Sequence, residues 1–248
     1  MLSRYPAPPT TTPRTTTPPT PAPEASPGVR SDQGERRPAV SLQEEVERFA
    51  LAARWVAGLV RELPADAQSE VWSGPGLGDW DMRALVGHTS RALLTVEQYL
   101  ERPAESEQAA SAAEYYEQTG GAGAADAGAV LQRGIDAGAA LGDDPAAAFA
   151  GIAERVIRRL ATAEDDLILT IVGGMRLSSY LPTRTFELVV HGLDIATAAG
   201  LPSVPPEPAL NRTLELATAL AIRSGQGGRV LLALTGRRGL GDGFTVLP

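Results

Sequence analysis

The stretch Pro182-Thr-Arg-Thr-Phe-Glu-Leu-Val-Val-His-Gly-Leu-Asp-Ile-Ala-Thr-Ala-Ala199 decides how this chain folds. Phe186, Val189, Val190 and Leu193 recur at helical steps and define one apolar side. Pro182 suits the first helical position and Gly200 the residue just past the end. Beside the apolar side, Arg184, Glu187, His191 and Asp194 are spaced three, four and three, which makes a polar ridge. Charge embedded in so apolar a segment is costly unless it is paired or metal-bound. The helix is therefore both a core element and the first place to look for chemistry.

The same period recurs on either side of it. Ser41-Leu-Gln-Glu44 has capping-box spacing, and Leu42, Val46, Phe49, Ala53, Val56, Val60 and Leu63 predict a helix that ends before Pro64. After a Gly/Pro loop over 73–79, Asp81 is placed to cap a second helix running to about Glu101. Its inner face carries Met82, Leu85, Val86, Leu93 and Val96. Residues 109–142 are rich in Ala and Gly and predict a helix with an indistinct start. Asp144-Pro145 opens another helix to about Glu164, and a further one spans about Glu207 to Ser224. Residues 167–172 and 175–181 form a short β-prone insertion. Arg229–Leu234 and Phe244–Leu247 flank a Gly-rich turn and read as a C-terminal hairpin. The expected fold class is mainly all-α, a four-helix bundle over 41–225 with these additions, the last being a short extension over 226–248. Residues 1–40 hold ten of the 20 Pro and a Thr-Pro tract, and are expected to be a disordered tail.

Composition narrows the chemistry. All 22 basic residues of the 248 are Arg, and there is no Cys. This excludes disulfides, a thiol nucleophile, thiolate metal sites, Schiff-base chemistry and a complete phosphate-binding P-loop. A net charge of −8 argues against nucleic acid as a partner. No apolar run approaches the ~20 residues that span a bilayer, and the amino terminus lacks a signal-peptide pattern. A cytoplasmic protein, a monomer or homodimer acting on small molecules away from membranes, is the expectation.

What remains for hard chemistry is Asp, Glu, Ser, Tyr and two histidines. Glu187 and His191, four apart, reach one point in space. His88, the other histidine, adjoins the buried face of the second helix. Packed together, the two helices would join His88, Glu187 and His191 into a two-imidazole, one-carboxylate metal site with an open position. Zinc is the first choice, with nickel and iron also compatible. Asp194 could orient His191, and Arg184 could neutralise a substrate carboxylate. The competing reading is an ordinary surface pair at i,i+4 and an unrelated structural histidine. Trp72 and Trp80 flank the loop before the second helix; either could line a pocket, with Trp80 the candidate for contact with a small-molecule substrate, but anchoring that loop suits both.

Two motifs carry a family resemblance. Gly78-Asp-Trp80-Asp-Met-Arg-Ala-Leu-Val-Gly-His88 resembles the Gly-Trp-x-Val-Arg-Asp-Leu-Val-Ala-His signature of mycothiol-dependent maleylpyruvate isomerase-like proteins. Arg184 to Asp194 resembles their second signature, Arg-x-x-Glu-x-x-x-His-x-x-Asp. The resemblance covers about residues 41–225. It implies the DinB/YfiT-like four-helix fold, a metal held by His88, Glu187 and His191, and mycothiol as cosubstrate. The activity it implies is isomerisation of, or transfer to, an electrophilic small molecule by a metal-activated thiolate. Family members of that name carry a further α/β domain, whereas here only Arg229–Leu247 follows the bundle, so maleylpyruvate itself is not the expected substrate. A non-catalytic bundle with a structural or ligand-sensing metal is the alternative.

Overall fold

The structure, a computed structural model, describes residues 40–121 and 127–247. The expected Pro/Thr-rich tail lies outside them, Val40 excepted. Helix α1 (Leu42–Arg61) starts where the capping box requires: the Ser41 hydroxyl accepts from the Glu44 N–H while the Glu44 side chain accepts from the Ser41 N–H. A single turn, α2 (Glu70–Ser73), precedes α3 (Met82–Tyr99), and the Asp81 carboxylate caps α3 by accepting from the Ala84 N–H at 2.7 Å. The Ala/Gly-rich region resolves into two helices, α4 (Ala112–Gly121) and α5 (Ala127–Ala140). Helix α6 (Pro145–Leu160) begins at its Asp144 cap with Pro at the first position.

The β-prone insertion forms an antiparallel pair, β1 (Leu167–Thr170) and β2 (Gly173–Arg176), with Ile168 opposite Met175. It leads directly into α7 (Leu177–Ala199), which starts five residues before the expected Pro182. The earlier start has a tertiary cause. Asp165, from the loop after α6, accepts from both the N–H and the hydroxyl of Ser178, and the Asp166 carbonyl accepts from the Leu177 N–H. Those donors being satisfied there, the helix begins at Leu177 and Pro182 falls inside it, without an N–H for the Ser178 carbonyl. Gly200, in the left-handed region at φ 66°, ends α7 as expected.

Helix α8 (Glu207–Arg223) follows, and here one expectation is corrected. Gly227–Leu234 is a helix, α9, and no strand forms over 244–247, so the C-terminal hairpin is absent from the described residues. A short apolar run such as Val230-Leu-Leu-Ala-Leu234 fits either element by hydrophobicity alone, and its Leu and Ala favour the helix.

Helices α1, α3, α6 and α7 make the mainly all-α frame: α1 lies against α6 and α7, and α3 against both of the same pair. Phe49, Val56, Leu85, Leu93, Phe149, Val156, Leu181 and Leu188 are fully buried between them. Helix α5 packs on the outer side of α3 at unusually close range. A Cβ on Gly87 would lie 2.1 Å from the Gly138 nitrogen, and one on Gly138 would lie 2.6 Å from the Arg83 carbonyl oxygen. Only a glycine pair lets the two backbones meet there. Arg83 then donates to the carbonyls of Gly138 and Gly142, at 3.0 and 2.7 Å, and closes the crossing.

Candidate metal centre

The frame brings the two histidines together. His88 projects from α3 and Glu187 and His191 from successive turns of α7, and one ligand atom from each lies within 4.8 Å of the other two. The imidazole rings stand nearly perpendicular, with centroids 5.0 Å apart. Nε2 of His191 is 3.3 Å from Oε2 of Glu187, and its Nδ1 is 3.0 Å from Oδ2 of Asp194. Asp194 therefore fixes the far nitrogen and turns the near one toward Glu187.

The donor set suits a divalent metal. Nδ1 of His88 is buried with no hydrogen-bond partner among the described residues. Burial, with the neighbouring charge of His191, lowers the His88 pKa to about 4, so its imidazole is neutral at pH 7 with a lone pair to offer. Glu187 sits well below the ordinary carboxylate range. Burial opposes this, but His191, Arg184 and the Tyr116 hydroxyl together outweigh it. His191 moves the other way, to about 9: burial again opposes, while Asp194 and Glu187 favour its protonated form. A neutral imidazole, a firmly ionised carboxylate and a second imidazole held by an aspartate are ligands that binding would complete.

The cluster forms one wall of a cavity of about 440 Å³. Arg184, next to Glu187 by one helical turn, lies in that wall with its guanidinium 5.2 Å from the Tyr180 ring and 5.5 Å from the Tyr115 ring. Its Nε donates to the Thr183 hydroxyl, and it makes no ion pair with a carboxylate among the described residues. Arg91 and Arg133 also line the cavity without an ion-pair partner there. Three guanidinium groups without an ion pair among the described residues, beside the Glu187 carboxylate, give this cavity a mainly positive lining in a chain of net charge −8.

Trp80 is placed differently from the other candidates. It does not line the cavity; its ring stacks 4.3 Å from that of His88 at 32°, and its Nε1–H donates to the Leu131 carbonyl. It backs His88 and ties α5 to the site. Trp72 is buried and donates to the Pro64 carbonyl, anchoring the loop.

Sequence reading passed over Arg91, Arg133, Tyr115 and Tyr116. Arg91 was within reach, since it follows His88 by three and shares its helix face. Tyr116 carries no such signal: its hydroxyl donates to Oε1 of Glu187 at 2.7 Å across 71 positions of sequence.

Fold and cluster together define a mainly helical bundle whose candidate metal-binding triad lines an arginine-bearing cavity. The chain belongs to the mycothiol maleylpyruvate isomerase N-terminal domain family, whose model matches residues 49–196 and so takes in both motifs. No curated protein and no solved structure matches it. No helix of the described residues is long and apolar enough to cross a membrane.

Proposed function

We propose that this protein is a metal-dependent enzyme that activates a low-molecular-weight thiol, mycothiol, for isomerisation of or transfer to an electrophilic small molecule in the cytoplasm. The observation that carries the reading is the His88–Glu187–His191 cluster set in the wall of a cavity rather than closed within the core. Membership of a family named for mycothiol supports the choice of that thiol. A divalent metal, zinc first, would supply the Lewis acidity that keeps a thiol deprotonated at neutral pH. His88, Glu187 and His191 would hold it. Asp194 would keep a proton on Nδ1 of His191, so that Nε2 is the nitrogen that gives up its proton and offers a lone pair to the metal. Arg184, fixed between two tyrosine rings, binds a carboxylate of the electrophile and orients it toward the cluster. The absence of Cys fits a nucleophile that arrives with the cosubstrate.

A structural or sensing metal is the second reading. Against it stands the cluster's count: three candidate donors, with no fourth His, Asp or Glu joining them among the described residues. A closed structural site needs four. The test uses protein purified without a His tag. Wild type is expected to carry about one equivalent of metal, and His88→Ala and His191→Ala to lose it. Equal metal content in all three overturns the site. Thiol consumption with maleyl compounds or chlorinated aromatic acceptors then tests catalysis, and no turnover by metal-loaded protein across a broad panel of electrophiles favours the second reading.

A further inference from the structure

The two oxygens of Glu187 are engaged by different parts of the fold. Oε2 faces Nε2 of His191, whereas Oε1 accepts the hydroxyl of Tyr116 on α4. Tyr116 is buried, with the rings of Tyr115 and Phe186 at 5.6 and 5.5 Å, so its phenol is fixed in direction. The Thr183 carbonyl lies farther from the hydroxyl, at 3.3 Å, and the single proton goes to the nearer carboxylate oxygen.

We propose that Tyr116 is the positioning residue that makes Glu187 a one-oxygen ligand: its hydroxyl occupies Oε1 and leaves Oε2 alone for the metal. A free carboxylate can bind a cation through both oxygens, which raises the coordination number and takes up the position a cosubstrate needs. With Oε1 engaged, the cluster would offer three protein atoms and leave a further position free for a cosubstrate. This inference rests on the metal reading given above, and the experiment separates the two.

Cobalt(II) is titrated into untagged, metal-free protein and followed by its visible absorption, which is intense for four-coordinate cobalt and weak at higher coordination number. Wild type is expected to give the intense spectrum. Tyr116→Phe, which removes only the hydroxyl, is expected to bind about 10–100-fold more weakly and to give weaker bands. Tyr115→Phe, at a ring that makes no hydrogen bond to Glu187, is expected to match wild type in both. An unchanged spectrum and affinity in Tyr116→Phe, or the same change in Tyr115→Phe, overturns the assignment while leaving the metal site standing. Wild type that binds no cobalt overturns both. Infrared measurement of the carboxylate stretches in cobalt-loaded wild type decides the matter independently should Tyr116→Phe fail to fold: a wide splitting is expected for one-oxygen binding, and a narrow one refutes it.

Discussion

Replacing Gly87 by alanine would put a methyl group where the structure has only backbone. The added Cβ would lie 2.1 Å from the Gly138 nitrogen and 2.4 Å from its Cα, against the 3.4 Å at which ordinary contact begins. No side-chain rotation relieves this, because the obstacle is main chain, so α3 and α5 must part by roughly 1 Å or more. Overpacking of this kind costs about 1–3 kcal/mol, and the rigid partner places it near the upper end. Alanine's better helix propensity returns about 0.5–1 kcal/mol, leaving a net loss of about 2 kcal/mol. For a domain of this size that lowers Tm by about 4–8 °C, read by circular dichroism during a thermal scan. Gly151→Ala is the matched control: it is exposed on α6 with nothing within 4 Å of the added carbon, and should raise Tm by a few degrees. His88 follows Gly87 directly, so the shifted crossing should also weaken metal binding. If Gly87→Ala melts at or above wild type while Gly151→Ala gains as expected, the close crossing is wrong.

Asp194→Asn keeps the size of the residue but weakens the hold on Nδ1 of His191, and is expected to cost about 10–100-fold in metal affinity by competition with a chelator, and to lower the Tm of the metal-free protein near neutral pH because part of what keeps His191 protonated is lost. Metal affinity should climb with pH, about tenfold per unit, and level off near 9, because His191 in the metal-free protein keeps its proton up to about pH 9 and a ligand must be neutral. His88, already neutral above about pH 5, adds nothing to that slope; a flat titration between about pH 6 and 8 would show that no proton is displaced from His191. In the metal-free protein the sign reverses: the raised pKa of His191 stabilises the fold fully below its ordinary value of 6.5, and that contribution fades as pH rises through about 9, read as a falling denaturant midpoint. Arg184→Gln should raise KM for an anionic electrophile about tenfold or more while leaving metal content unchanged, since its guanidinium lines the cavity without touching the cluster's ligand atoms by hydrogen bond.

The sequence by itself determined the helices whose ends are written locally. Ser41 with Glu44, Asp81, and Asp144 with Pro145 each satisfy or remove donors within their own first turn, so α1, α3 and α6 begin where those residues stand. It also determined the ridge that carries Glu187, His191 and Asp194, because helical spacing alone puts them on one face. Where a boundary depended on a remote group, local reading failed: α7 starts at Leu177 because Asp165 caps it from outside, and Val230–Leu234 is helical although a short apolar run has no period of its own. Only the tertiary structure decided that His88 meets the α7 pair, that Trp80 backs His88 instead of facing the cavity, and that Tyr116 holds Glu187. Those relations are set by the crossings of α3 and α4 with α7 and by the glycine contact of α3 with α5, which are distances between segments far apart in the chain, and a residue's own neighbours in sequence carry no record of them.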